Sequence, residues 1–425
     1  MNSQGSQFDF DLGKYSELLK AVGSLSSLFS ENTDNVYFVS RFIEKLYVYA
    51  SGAEDLSRLD NSFDALIRSS NKGVGVKTFG VSNINSVKSE KVAELTAHAS
   101  SGEFRNLTHE DLIKKVAKIR NDKIMSDSNE YGIDLSNSIY HCLIRTQSGA
   151  LIHEESYPLI NLDQIHPTNS NGIRVDTYDS GSFPYFTDGH NFYTFNTSKN
   201  TLFKKFDISS GNNSTLIGLE TVENIFAEII KWTRSRNPSA TPVAPFQNFQ
   251  YLISARKQTR PFVVLPLYST RTKERKVYPA SGINQWNAGG RERKFGEAYI
   301  PVPSHIHENH PGFFPSRDET FQLKLPNGKN VLASICQDGG KALMSNPNHE
   351  LCEWLFRTID INFDETKVER MTKNIPYKYE DLKTIGKDSV RVFKNEDGSF
   401  EIEFMPVGSY EKFKAGLSLE KGDDY

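Results

Sequence analysis

The sequence is poor in cysteine and has no long run of apolar residues. Three cysteines in 425 residues, Cys142, Cys336 and Cys352, are too few for a disulfide framework, and their spacing does not indicate a zinc site. No apolar run approaches the roughly 18–20 residues of a membrane helix. The N-terminal residues also lack the basic and apolar regions of a signal peptide. We therefore expect a cytoplasmic protein in a reducing compartment.

A large excess of charge of either sign is also absent, since 50 Lys and Arg residues nearly balance 53 Asp and Glu residues. This balance excludes a histone-like protein that binds nucleic acid through bulk charge. Residues 256–294 differ from the average, with ten Lys or Arg and only two Glu. Tyr, Trp, Asn and Gln residues are interleaved with these basic residues, and such side chains stack on or hydrogen-bond to nucleobases. We interpret the segment as binding nucleic acid, the alternative being a solvated pair of surface strands.

Proline and small polar residues divide the chain at Arg236–Pro245, RNPSATPVAP, which is the best candidate linker. We predict an α+β protein of two domains, residues 1–240 and 246–425. Apolar periodicity predicts helices over 13–50, 86–98, 107–123 and 220–234, and hairpins over 63–79, 138–159 and 172–206. Beyond residue 245 the pattern is mostly short strands with a helix over 349–358, which predicts a β-barrel or sandwich.

The hairpin over residues 63–79 carries Asp64 on its first strand and Lys77 on its second. An aspartate there can bind a divalent metal through hard oxygen, and a lysine opposite it can orient the attacking water or neutralise charge on a phosphate. This pattern resembles the core of PD-(D/E)xK nucleases, the fold of many restriction endonucleases. The resemblance implies an α/β nuclease domain that uses Mg²⁺, with Asp64 as a metal ligand and Asp64 and Lys77 as catalytic residues.

The pattern departs from that family at Gly75, where a second acid is expected two residues before the lysine. Some nucleases of this fold take that acid from a neighbouring helix. The candidates are Glu44, Glu54 and Glu90, and we rank Glu44 first because it lies on the helix before the first core strand. An ordinary hairpin with a surface lysine is the alternative interpretation.

Two further segments carry candidate ligands. Asn196, Ser198 and Lys199 lie near one another at the end of a predicted hairpin and could hold a phosphate, or be purely structural. The HxHxxH spacing that begins at His305 could bind metal, but the surrounding prolines favour a turn or contact loop.

The C-terminal region carries several motifs in order: LPLYSTR at 265–271, SGINQWNAGGR at 281–291, AYIPVP at 298–303, FFPSRD at 313–318 and CQDGGKALMSNPN at 336–348. Together they resemble the DNA-binding domain of NgoFVII-type restriction endonucleases, a pseudobarrel related to the B-three domain of plant transcription factors. The resemblance implies that two arms enter the major groove of double-stranded DNA, one near residues 271–293 and one near 341–348.

Arg binds guanine bidentately and Asn or Gln binds adenine, so both arms have suitable chemistry. We predict DNA contacts from Arg271, Lys273, Lys276, Asn284, Gln285, Asn287, Arg291, Arg293, Lys294, Lys341, Ser345, Asn346 and Asn348. Lys273, Lys276, Arg293 and Lys294 are assigned to phosphates.

Relatives of this domain are expected to carry a metal-independent nuclease of the phospholipase D type, whose HxK signature is absent from this sequence. The leading hypothesis is therefore a Type II restriction endonuclease with a different, Mg²⁺-dependent cutting domain. Such an enzyme is expected to act as a homodimer and to need a cognate methyltransferase that protects the host. The alternatives are a DNA-binding protein that does not cut, favoured by Gly75, and a nuclease directed at RNA or modified DNA.

Overall fold

The chain forms two compact units in a computed structural model. The structure describes residues 10–24, 38–57, 60–81, 87–146, 149–178, 181–208, 214–219, 231, 260–272, 274–290, 296–363, 370, 373–417 and 419. Unit 1 comprises residues 1–124 and 134–242, and unit 2 comprises residues 125–133 and 243–425. The predicted linker lies outside the described residues, as does the predicted helix over 220–234 apart from residue 231. The boundary near residue 245 therefore stays a prediction.

Unit 1 combines two sheets with helices. Its elements are α1 (Leu12–Ser24), α2 (Ser40–Ser51), β1 (Glu54–Asp55), β2 (Ala65–Ile67), β3 (Lys72–Gly80), β4 (Val87–Glu94), α3 (Thr96–Ser100), α4 (His109–Tyr131), β5 (Asp134–Thr146), β6 (Gly149–Ser156), β7 (His166–Thr168), β8 (Tyr185–Thr187), β9 (Phe192–Asn196), β10 (Thr201–Asp207) and β11 (Ser214–Gly218). The last residues of α4 belong to unit 2. One sheet has the order β1-β2-β3-β5-β6-β11 and the other β4-β10-β9-β8-β7.

The centre of the first sheet positions the predicted hairpin. β2 and β3 pair antiparallel, with Ala65 opposite Val74, and β3 pairs parallel with β5. Val74 and Val76 point to one side of β3, into a core that includes Ile43 and Leu46 of α2. Because side chains alternate along a strand, Gly75 and Lys77 lie on the other face.

Several predicted elements are confirmed, and one is wrong. The hairpin over 63–79, two helices within 13–50 and the helix over 107–123 are present. Thr108 begins the last of these, since its Oγ accepts a hydrogen bond from the Asp111 N–H at 3.1 Å. Residues 87–94, which we expected to be helical, form strand β4 against β10. Pairing with β10 satisfies the backbone of this Lys- and Glu-containing segment and overrides its modest helix propensity.

Unit 2 is built on one sheet that nearly closes into a barrel. After residue 260 its elements are β12 (Phe262–Pro266), β13 (Ile300–Pro301), α5 (Ser304–Asn309), β14 (Thr320–Lys324), β15 (Asn330–Cys336), β16 (Ala342–Ser345), α6 (His349–Ile359), α7 (Tyr379–Thr384), β17 (Lys387–Lys394), β18 (Phe400–Pro406) and α8 (Ser409–Lys414). The strand order is β12-β17-β18-β14-β15-β16-β13, and the end strands β12 and β13 approach each other. A single apolar core fills the unit. The predicted C-terminal barrel and its helix over 349–358 are thus confirmed.

The C-terminal end of α4 is part of the core of unit 2. Lys387 is buried and pairs with Asp127 at 2.6 Å and with Glu130. The Glu130 carbonyl accepts a hydrogen bond from the Trp354 indole at 3.1 Å. Opposite charges compensate each other in this buried group, so unit 2 depends on a segment far from it in sequence.

No helix in the described ranges combines the length and the apolar character that crossing a membrane requires.

Candidate functional site

Asp64 lies directly before β2 and is held against β3 by backbone hydrogen bonds. Its N–H donates to the Val74 carbonyl at 2.8 Å, and its carboxylate accepts the Val76 N–H at 2.7 Å. The carboxylate therefore sits at the residue before Lys77, and the hairpin fixes its position without help from a flexible loop.

Glu44, Asp64 and Lys77 form one electrostatically coupled group. Burial raises the pKa of Asp64, while the Lys77 charge and the Val76 N–H oppose that rise. Burial together with the negative charge of Asp64 raises the pKa of Glu44 to about 7, and Lys77 opposes this rise as well. Glu44, Asp64 and Lys77 therefore lie within range of one another's charge. Among the described residues of the group, the one direct contact is the hydrogen bond that fixes the Asp64 carboxylate on Val76, one residue before Lys77.

The other two acids proposed in place of residue 75 lie in different surroundings. Glu54 is half-exposed and pairs with Arg68. Glu90 is on strand β4, where burial raises its pKa and Lys88 and Lys77 oppose that rise. Glu90 therefore interacts electrostatically with Lys77, whereas Glu54 belongs to a surface ion pair.

Asp55 is a third acid, in addition to Glu44 and Asp64, and sequence reasoning missed it. It interacts electrostatically with both Glu44 and Asp64. Its carboxylate accepts hydrogen bonds from Ser57 at 2.6 Å and Lys45 at 3.3 Å. These bonds outweigh burial, so the pKa of Asp55 is lowered. Asp55 lies near Asp64 because it pairs with Ala65 across β1 and β2. The register of these two strands could not be predicted from the sequence.

Gly75 has no room for the acid that the family pattern places there. A Cβ at this position would lie 2.7 Å from Cε2 of Tyr157 and 3.1 Å from Cδ1 of Tyr140. The two rings stack at 4.2 Å, and the Tyr157 hydroxyl donates to the Ser62 carbonyl at 2.7 Å. An aromatic pair held on both sides therefore occupies the space of the missing carboxylate.

The residues present fit a magnesium ion that completes its coordination with substrate. Within the described part of the chain, no three His, Cys, Asp or Glu side chains converge as a preformed metal cage. Mg²⁺ does not need one, since it is usually held by one or two carboxylates together with waters and substrate phosphates. Glu44 and Asp64 supply two hard oxygen ligands whose mutual repulsion a cation would relieve.

Of the other N-terminal candidates, Asn196 serves the fold, while the Ser198 and Lys199 side chains are exposed. The Asn196 side chain is buried and accepts the N–H groups of Ser198 and Lys199, both at 3.0 Å. This is the geometry of an Asx turn, which closes the hairpin between β9 and β10.

In unit 2, the first predicted arm runs near residues 271–293. We call its described residues at the start, 269–272 and 274–276, the recognition arm. Ser269 and Lys276 close its base as an isolated bridge, with the Ser269 N–H donating to the Lys276 carbonyl at 2.8 Å. Arg271 and Lys276 are exposed on it. The other basic candidates, Lys273, Arg291, Arg293 and Lys294, lie outside the described residues.

The expectation of a base contact from Asn284 is corrected by the structure. Its side chain is fully buried, donates to the carbonyls of Tyr278 and Tyr377, and accepts the Tyr377 N–H at 2.9 Å. All these groups are internal, so Asn284 joins two segments of the fold. Gln285 and Asn287 are partly exposed, and Asn287 donates to the Pro279 carbonyl at 3.1 Å.

The second predicted arm follows β15. Lys341 and Asn346 are exposed and Asn348 is partly exposed, so all three remain available. Ser345 is buried, and its hydroxyl accepts the Leu351 N–H at 3.0 Å and donates to the Pro347 carbonyl. Ser345 therefore organises the start of α6, and the expectation of a DNA contact from it is also corrected.

The HxHxxH segment lies in helix α5 and at its C-terminal end, not in the turn or contact loop that we expected. His307 hydrogen-bonds to the Gly340 carbonyl at 2.9 Å, and His310 stacks on Phe413. The two rings thus have different neighbours within the protein.

Comparison with known proteins bears on unit 2. Residues 263–395 match the family model of the NgoFVII C-terminal B3-like DNA-binding domain. The match covers β12 apart from its first residue, all of β13–β17, and both predicted arms. Among curated proteins, the search found no match to the chain. The resemblance predicted for the C-terminal region is confirmed: unit 2 contains a domain similar to the B3-like DNA-binding domain of a restriction-enzyme family.

Proposed function

We propose that the protein is a site-specific endonuclease for double-stranded DNA, with the cutting site in unit 1 and the recognition site in unit 2. The observation that carries the proposal is the Asp64 carboxylate held on the Val76 N–H, one residue before Lys77, in a chain whose other unit matches the NgoFVII C-terminal B3-like DNA-binding domain. The mixed sheet preceded by a helix is compatible with a PD-(D/E)xK nuclease core.

In this proposal Glu44 and Asp64 hold the metal, and bound Mg²⁺ supplies the Lewis acidity for phosphodiester hydrolysis. Lys77 follows Val76, whose N–H holds the Asp64 carboxylate, and its ammonium would neutralise negative charge that develops on the scissile phosphate. The Val76 N–H keeps the Asp64 carboxylate oriented while the phosphate binds. The expected products carry 5′-phosphate and 3′-hydroxyl ends.

Recognition is assigned to the exposed arm residues. Arg271, Asn346 and Asn348 have side chains that can read base edges, while Lys276 and Lys341 suit phosphates. Cutting both strands requires two cutting sites, so we also propose a homodimer on DNA, together with a methyltransferase that modifies the same sequence.

The test is incubation of the purified protein with unmethylated phage and plasmid DNA, in parallel with MgCl₂ and with EDTA. We expect discrete fragments only with Mg²⁺. Asp64→Asn and Lys77→Met should abolish cutting and leave DNA binding intact. Glu54→Gln is the matched control, because Glu54 was an alternative acid but belongs to a surface ion pair. Fragments in EDTA would refute the assigned cutting site.

A DNA-binding protein that does not cut is the second candidate, and Gly75 is the observation that favours it. In that case a specific gel shift should appear without cleavage under any divalent metal. Loss of binding in Asp64→Asn would instead identify Asp64 as structural.

A further inference from the structure

We infer that Arg275 is a positioning residue that anchors the recognition arm, and that it does not itself contact DNA. The inference rests on the proposed DNA recognition by unit 2 and is independent of cutting. Arg275 falls in the basic stretch that the sequence suggested as a phosphate-binding footprint, so its charge alone would assign it to DNA. Its contacts assign it to a network within the protein, although about a third of its side chain (33%) is exposed.

Three protein groups occupy the Arg275 guanidinium. Its Nε pairs with Glu411 at 2.9 Å, and its Nη1 donates to the Tyr379 hydroxyl at 2.7 Å and lies 3.3 Å from Asp388. The Tyr268 and Tyr379 rings lie near it, at 5.8 and 5.9 Å from the guanidinium carbon. Nε and Nη1 are thus engaged within the protein, and a phosphate would have to break these contacts to use them.

The partners themselves are fixed by further contacts. The Asp388 side chain is fully buried and accepts hydrogen bonds from the Tyr379 hydroxyl at 2.8 Å and the Gly408 N–H at 3.2 Å. The Tyr268 hydroxyl donates to Glu411. A buried carboxylate needs such compensation. Arg275 therefore stabilises the buried Asp388, and the network in turn fixes the position of Arg275.

The network joins the base of the arm to three separate elements. Tyr268 precedes the arm, Arg275 lies within it, Tyr379 begins α7, Asp388 lies in β17 and Glu411 lies in α8. The arm presents Arg271 and Lys276 to solvent. Arg271 lies two residues after the bridge residue Ser269, and Lys276 is the other residue of that bridge. Fixing both ends of a short loop lowers the conformational entropy that DNA binding would otherwise have to remove.

The test separates anchoring from phosphate contact by the salt dependence of binding. A duplex is first selected from a randomised library by the wild-type protein, and a scrambled duplex of equal length serves as the non-specific probe. Dissociation constants for both are then measured over a series of NaCl concentrations. The logarithm of the association constant falls linearly with the logarithm of the salt concentration, and loss of one phosphate contact reduces the steepness of this fall by about 0.9.

For Arg275→Met we expect binding of the selected duplex to weaken about tenfold or more, with an unchanged salt slope and little change for the scrambled duplex. The matched variant Lys276→Met should weaken both duplexes by similar factors and lower the slope by about 0.9. A lowered slope for Arg275→Met, or unchanged binding of the selected duplex, would overturn the inference.

Glu411→Gln provides an independent sign test, because Glu411 is a partly exposed residue of a surface helix. Removing a negative charge should strengthen DNA binding if charge alone matters. Anchoring predicts weaker binding of the selected duplex, since the Arg275–Glu411 ion pair is lost. Stronger binding would refute the anchor, and circular dichroism checks that each variant is folded. If the wild type enriches no duplex, recognition by unit 2 fails and the anchor fails with it.

Discussion

Ionised Glu44 should destabilise the folded protein, and Glu44→Gln should therefore make unit 1 more stable at alkaline pH. Burial and the neighbouring Asp64 raise the pKa of Glu44 from 4.5 to about 7. A shift of this size corresponds to about 3 kcal/mol between the two protonation states. Because the side chain is partly exposed, solvent screening reduces the expected effect to about 1–2 kcal/mol.

The sign follows from proton binding. The folded state binds the Glu44 proton more tightly than the unfolded chain, so stability falls as Glu44 ionises. This penalty is absent below pH of about 4.5, grows towards pH 7 and is constant above it. Glutamine remains neutral, so wild type and variant should have equal stability at low pH and diverge as the pH rises.

The assay is urea unfolding followed by far-ultraviolet circular dichroism, with hydrogen exchange of the β3 and β5 amides as a probe of unit 1. Glu54→Gln is the control, since it removes an acid that belongs to a surface ion pair. Addition of Mg²⁺ should reduce the difference in stability at high pH, because an ion that binds only the folded wild type stabilises it. A Glu44→Gln variant that is no more stable than wild type at pH 8 would refute the raised pKa of Glu44.

Two further changes test the packing around the two units. Gly75→Asp restores the acid of the family pattern, yet we expect it to lower the free energy of unfolding by about 1–3 kcal/mol or more and to give no cutting, because Tyr157 blocks the new side chain. Thermal unfolding and the plasmid assay check this, and a stable, more active variant would contradict it. Lys387→Met leaves Asp127 and Glu130 buried without their cation, so we expect a loss of about 3–5 kcal/mol in urea unfolding. Lys383→Met, at an exposed position, should change stability little, and equal effects of the two variants would argue against the buried group.

Local patterns predicted the parts of the fold that depend on neighbours in sequence. The hairpin of β2 and β3 has a turn at Asn71, where the backbone adopts the positive φ that Asn tolerates, and apolar alternation on both strands. Asp64 and Lys77 are brought together by that hairpin, so their pairing could be read from the sequence. Glu44 could be ranked first only through resemblance, because its approach to Asp64 depends on how α2 packs against the sheet.

Features set by distant segments could not be predicted. The missing acid at Gly75 is explained by Tyr140 and Tyr157, which follow it by 65 and 82 residues in the sequence. Strand β4 was mistaken for a helix because its partner β10 is more than a hundred residues away. Residue type gives the chemistry available at a position, but the neighbours decide whether that chemistry is exposed.

The basic stretch in the C-terminal half shows that residues of equal charge in the sequence can differ in exposure and pairing in the fold. A local count of charges treats Arg271, Arg275 and Lys276 as equivalent contributions to a DNA-binding footprint. In the fold, Arg275 is compensated by Asp388 and Glu411, which lie 113 and 136 residues further along the chain. Its charge therefore adds little to the field that DNA would meet, while Arg271 and Lys276 remain exposed. In such a DNA-binding surface, Arg275 holds the arm in place, while Arg271 and Lys276 attract the DNA. Loss of Arg275 should therefore weaken binding without changing its salt dependence, whereas loss of Lys276 should change the salt dependence.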